Sequence, residues 1–253
     1  LPSPSFMQDA LSPLSANNPC LGGDDADERA GYGYFFWMMS HGSAAMYGMG
    51  GQYAILIPYK DMVVVTTADT QPLKEGNEII RSAIWDIVEN ASDKAISRDD
   101  ESYHLLQERI QSLTVPIVAS SGRSMLSGYH EFKFSNNSSG LEMIIYNFTS
   151  SFVDIKLKYV DGEYAFRAGD GYLEESDFPV LKSSPCYASS AWLSDGTFSV
   201  LAYLAGPEMG TISIQSAFSG NAVTVLMHLY GEVSFTGFEG VYTGIEQGSS
   251  SWI

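Results

Sequence analysis

The sequence predicts an α+β chain in two parts, antiparallel strands with a helix followed by an all-β antiparallel barrel or sandwich. Three observations carry this expectation. Short aromatic and β-branched runs punctuated by glycine and proline fill residues 31–67. Apolar residues then recur at helical spacing over 73–91. From Tyr129 onward, short alternating runs joined by tight turns recur, with no convincing helix among them.

Taken in order, Ser5 to Leu14 is expected to form a short helix capped by Ser3 or Ser5. Pro, Asn, Gly and Asp dominate from there to Arg29 and predict a surface loop. Tyr32 to Met39 is aromatic, apolar and short, and it ends at Ser40-His41-Gly42; this predicts a buried strand and a turn, with a second strand returning over Ser43 to Tyr47. Gln52 to Pro58 and Met62 to Thr67 are two further β-rich runs. Between them, Pro58-Tyr59-Lys60-Asp61 has a proline that pre-sets a turn and an aspartate that tolerates its unusual angles. Ile79, Ile80, Ala83, Ile84, Ile87 and Val88 give the following helix its apolar face. A second helix is expected from Asp100 to Leu113, with Leu105, Leu106, Ile110 and Leu113 on one side, until Pro116 stops it. Residues 114–126 read as a linker. Strands are expected over 129–134, 141–148, 152–160, 197–204, 211–218 and 222–229, with turns such as Asp161-Gly162, Asp195-Gly196 and Ser219-Gly220-Asn221.

Composition narrows the function. With 253 residues, 45% hydrophobic and 17% charged, the chain is long and apolar enough to bury a core, unlike a disordered segment. A net charge of −17 repels phosphate backbones, and its seven lysines and six arginines are scattered singly, so nucleic acid and anionic membrane are poor partners. No apolar run reaches the ~18 residues needed to span a bilayer. Leu1-Pro2-Ser3-Pro4 has neither a methionine nor a basic-plus-apolar signal pattern, and the expectation is a cut edge, with the compartment open. Cys20 and Cys186 are far apart, lack metal-ligand spacing and read as two unpaired small residues. The acceptor tripeptides at Asn136, Asn137 and Asn147 are of a kind common by chance.

Gly31-Tyr32-Gly33-Tyr34-Phe35-Phe36-Trp37, then Tyr47-Gly48-Met49-Gly50-Gly51-Gln52-Tyr53, then Pro58 through Val63-Val64-Val65-Thr66-Thr67 form a specific ordered series. It resembles the C-terminal core of the serine β-lactamase-like family, which includes class C β-lactamases, penicillin-binding esterases and 6-aminohexanoate-dimer hydrolases. The resemblance covers residues 1–92 and implies the C-terminal antiparallel strands and helix of a β-lactamase-like fold. Residues 93–126 would then be a helix and linker, and residues 127–253 an antiparallel barrel-like domain. Trp192 and the stretches around Ser127 and Asn136 are similar to the β domain appended to many bacterial hydrolases of this family; Trp192 is expected to fill its interior, or else to border a small apolar cavity.

The resemblance implies acyl transfer on a small amide or ester. The family's Lys/His-Thr/Ser-Gly motif maps onto Met46-Tyr47-Gly48, which departs from it at the first two positions. It makes Tyr47, Gly48 and Met49 the expected substrate-binding wall, with the Met49 N–H as one of two oxyanion donors. On spacing alone, Gly48, Gly50 and Gly51 read better as a bulge or a tight hairpin, and only the family context points to a site-lining role. No catalytic residue is assigned. The family's Ser-x-x-Lys nucleophile is missing, because the residues three before the lysines are Ile57, Gln71, Ala91, His130, Val153, Ile155 and Pro179. His41, His104, His130 and His228 stand apart from any nucleophile motif, and His41-Gly42-Ser43 reads as a hairpin turn. Asp24-Asp25-Ala26-Asp27-Glu28 lacks the ladder of a calcium loop, so no metal and no cofactor is expected. The chain alone should be inactive, and a homo-oligomer through exposed apolar surface is possible. The competing expectation is a β-barrel ligand-binding or interaction module with a vestigial hydrolase remnant.

Overall fold

The computed structural model describes residues 2–16, 26–73, 75–179, 184–206, 209–231 and 235–247. The α+β expectation does not hold. The chain is mostly β, with 44% of residues in strands and 19% in helices. It divides into two compact units, Leu1–Leu106 and Gln107–Ile253. No helix among the described residues is long and apolar enough to cross a membrane.

The first unit opens with α1 (Pro4–Ala10), where Ser3 caps the helix by accepting the Phe6 N–H. The one-turn α2 (Ala26–Arg29) follows. Four strands then form one antiparallel sheet in sequence order: β1 (Trp37–Met38), β2 (Ala44–Gly48), β3 (Gln52–Ile57) and β4 (Met62–Thr66). The strand expected over 32–39 is reduced to two residues. A Cβ on Gly33 would lie 2.1 Å from the Ala10 carbonyl oxygen, so the N-terminal segment presses on this stretch. Phe35 turns out at φ 63° and is 85% exposed, which breaks the run. Helix α3 (Gly76–Asn90) covers one sheet face, packing Ile84 and Val88 against Ala45, Tyr53, Ile55 and Ile57. Helix α4 (Asp100–Gln111) buries none of its residues, including the expected apolar stripe Leu105, Leu106 and Ile110.

The second unit contains ten strands: β5 (Gly128–Phe134), β6 (Leu141–Phe148), β7 (Phe152–Tyr159), β8 (Gly162–Asp170), β9 (Glu174–Phe178), β10 (Ser184–Trp192), β11 (Phe198–Leu204), β12 (Gly210–Ser219), β13 (Ala222–Tyr230) and β14 (Gly240–Glu246). All but β9 form a closed nine-stranded barrel, which settles the barrel-or-sandwich alternative. An odd ring cannot close with strictly alternating directions, so one neighbouring pair must run parallel. That pair is β8–β10, held at only two positions, Gly169 opposite Ser189 and Asp170 opposite Ser190. Strand β9 takes up the rest of the same β10 edge, from Phe178 opposite Ser184 to Glu174 opposite Ala188.

The barrel interior is packed. Val153, Ile155, Leu157 and Tyr159 of β7 point inward, alternating with Asp154, Lys156 and Lys158. At one end, the segment before β14 folds in as a plug: Phe238 is fully buried, and the Tyr159 hydroxyl donates to the Gly237 carbonyl at 2.7 Å. Near the other end the Tyr146 phenol, also fully buried, sits 2.6 Å from the Ser216 hydroxyl, which satisfies both groups. Cys186 is buried and free, and burial pushes its thiol up to about 12; Cys20 lies outside the described residues.

Burial also pushes the phenols of Tyr146 and Tyr159 far above their ordinary range, because the phenolate would lose its water. A raised folded-state pKa means that this stabilisation is complete below pH ~10, where the unfolded phenols ionise, and is lost as pH rises further. The expected result is a split titration. The late rise in 295 nm absorbance, from the buried phenols, is expected to coincide with loss of the β-sheet circular dichroism signal. A single smooth titration of all 15 tyrosines in a chain that stays folded would contradict the packing described.

Candidate functional site

The glycine turn between β2 and β3 is built by its neighbours. Gly50 and Gly51 adopt φ of 73° and 87°, conformations open to glycine at little cost. Both of their carbonyls are engaged: the Thr70 N–H donates to Gly50 O at 3.1 Å, and the Thr66 hydroxyl to Gly51 O at 2.7 Å. The Gln52 side-chain amide donates to Ala68 O and ties the start of β3 to the segment after β4. The turn is thereby fixed from the β4 side. The Met49 amide donates to no carbonyl among the described residues, and the Met49 side chain is exposed.

Tyr47 and Gly48 end β2, immediately before that turn, and pair with Tyr53 and Gln52 of β3. Strand alternation places the Tyr47 ring on the α3 face, not on the opposite one. It stacks on Tyr53 with centroids 4.7 Å apart and planes 3° from parallel, and its hydroxyl accepts a hydrogen bond from the Asn77 side chain. Behind it, the buried Arg81 guanidinium donates to the Tyr53 hydroxyl at 3.1 Å. Burial raises the Tyr53 phenol to about 12, against the opposing pull of Arg81. So Tyr47, Gly48 and Met49 are adjacent in space as in sequence, but the Tyr47 side chain is committed to a polar cluster with Asn77. Asn77 and Arg81 do not stand out in the sequence because both are polar, although helical spacing places them on the same stripe as Ile84 and Val88, which is the usable signal.

The other face of the sheet differs. It carries Ala44, Met46, Ala54, Leu56, Val63 and Val65. Val63 is 60% exposed, Val65 is 67% exposed and Met46 is half-exposed. Helix α3 likewise leaves Ile79, Ala83 and Ile87, four residues apart along one stripe, in solvent. A small antiparallel sheet with one face covered by α3 and an apolar patch of Met46, Val63 and Val65 bare on the other, where Ala44 and Met38 are buried, is an unusual surface for a free-standing unit.

The histidines do not gather into a site. His41 lies in the turn between β1 and β2 at φ 58°, against Trp85 at 5.0 Å between ring centroids. His130 and His228 meet Glu246 and Glu239, each at 2.7 Å, and His104 is exposed on α4. Among the described residues, no group of three or more His, Cys, Asp or Glu side chains could hold a metal ion. Compared with protein-family models and with curated proteins, the chain matches none.

Proposed function

We propose that this chain is the C-terminal part of a serine β-lactamase-like hydrolase that transfers the acyl group of a small amide or ester. The observation that carries the reading is the bare apolar sheet face of Met46, Val63 and Val65, next to a braced glycine turn. Such a face, together with the bare Ile79–Ile87 stripe, supports a unit that packs against further protein. In this reading Gly48 and Met49 border the site, and the Met49 N–H is one donor to the oxyanion of the tetrahedral intermediate, an interaction worth ~3 kcal/mol. Tyr47 is a positioning residue, holding the end of β2 against Asn77. The second donor and the nucleophile would come from a Ser-x-x-Lys segment, and this sequence contains none.

The chain by itself is therefore expected to leave chromogenic β-lactams and short esters intact and to take up no fluorophosphonate label. Stoichiometric labelling of residues 1–253, mapped by mass spectrometry to any serine, would overturn the reading. The same bare face also supports weak self-association of the isolated chain.

A further inference from the structure

The two ends of the barrel are not alike. One is filled by the Phe235–Phe238 plug. The other contains a recess of about 390 Å³, floored by Phe148, Trp192 and Phe198, with Ser127, Ser150 and Asp170 on its rim. This volume lies in the ~300–1,000 Å³ range of small-molecule sites. Its architecture is fixed. The Gly122 N–H donates to Trp192 O at 2.8 Å, and a Cβ on Gly122 would meet the Leu193 carbonyl oxygen at 2.1 Å, so the segment leading into β5 is strapped closely over the barrel end. The floor rings brace one another, with Trp192 lying 5.2 Å from Phe198 and 5.7 Å from Phe148.

The chemistry of the lining selects a ligand. Asp170 is the only charged side chain in it, no cation pairs with it among the described residues, and the whole chain carries −17. An anion is repelled on both counts. The indole N–H of Trp192 and the hydroxyls of Ser127 and Ser150 likewise have no hydrogen-bond partner among the described residues. Aromatic rings attract an organic cation through their π faces and bury an apolar ring, while a carboxylate pairs with an ammonium. We propose that this recess binds a small organic amine bearing an apolar ring, with its ammonium on Asp170 and its ring against the aromatic floor. The proposal stands independently of the hydrolase reading, since it uses only the barrel.

The test is ligand-observed NMR on the whole chain with three near-isosteric probes: 2-phenylethylamine, 2-phenylethanol and phenylacetate. Saturable binding is expected for the amine, about tenfold tighter than for the alcohol, with the anion weakest. Asp170→Asn should abolish the preference for the amine over the alcohol and leave the alcohol unchanged. Ser127→Trp, an exposed rim position, should block both. Circular dichroism of each variant checks that the barrel is kept. Equal affinity for the three probes, absence of saturable amine binding, or a preference that survives in Asp170→Asn would each overturn the proposal.

Discussion

Phe178→Ala is expected to cost the barrel ~3–5 kcal/mol, the range for removing a large ring from a closed core. Phe178 ends β9, the strand that completes the β10 edge, and is fully buried. Its ring lies 5.4 Å from Tyr164, 5.8 Å from Phe166, 5.6 Å from Phe235 and 5.8 Å from Phe238. One side chain thus joins the seam strand, the wall strand β8 and the plug. Removing it leaves a cavity that four rigid rings cannot collapse to fill, which places the cost high in the range. Because a domain's total stability is ~5–15 kcal/mol, much of the fold's margin would go. Urea denaturation followed by near-ultraviolet circular dichroism measures the loss. Val160→Ala, at an exposed turn position, serves as the control and should change stability by under ~0.5 kcal/mol. A cost below ~1 kcal/mol for Phe178→Ala would mean that β9 and the plug are not packed as described.

The same seam shows where sequence reading stops. Strands β7, β12 and β13 were legible because large apolar residues alternate with polar ones, as in Val153-Asp154-Ile155-Lys156-Leu157. Strand β10, Ser-Pro-Cys-Tyr-Ala-Ser-Ser-Ala-Trp, has no such alternation and is not among the expected strands. Its Ser189 and Ser190 are buried because β8, β9, β11 and the Val118 segment crowd around it, and small residues are what that crowding admits. Strand β9, Glu-Glu-Ser-Asp-Phe, is rich in acid and is not among the expected strands; its strand character comes from the β10 edge it completes, a non-local cause. Strand β8 does alternate Tyr164, Phe166 and Ala168, but its flanking glycines and charges mask the pattern. These omissions, with β14, are why the chain is mostly β and not α+β. At the candidate site, the glycine turn was legible because Gly50 and Gly51 hold positive φ, a local property. The pairing of Tyr47 with Asn77 was not, since it depends on how α3 docks on the sheet thirty residues later.

The bare face of the first unit leads to the second large effect, concentration-dependent self-association that Val63→Lys with Val65→Lys should abolish. Strand β4 lies at the edge of its sheet and reads Met-Val-Val-Val-Thr, without a charge, proline or bulge to protect it. Two copies joined across this face would bury Met46, Val63 and Val65 from each, at ~1 kcal/mol per half-exposed side chain, or ~6 kcal/mol together. Association entropy alone costs ~4 kcal/mol or more, which leaves ~2 kcal/mol or less, so the outcome is weak, with Kd on the order of 30 mM or above. Charge opposes it, since each copy carries −17. Salt near 0.5 M shortens the screening length below ~8 Å and leaves the apolar attraction intact, so association should strengthen as ionic strength rises, the opposite of an ion-pair interface. Sedimentation at 0.05 M and 0.5 M salt distinguishes the two. The parent chain should exceed its 27.6 kDa mass as concentration and salt increase, whereas the doubly substituted chain should remain at that mass. Both substituted positions are exposed, so the lysines should not disturb the core shared with α3. A parent chain whose mass does not rise with concentration and salt, or a variant that still associates, would remove this face from consideration as a surface that packs against further protein.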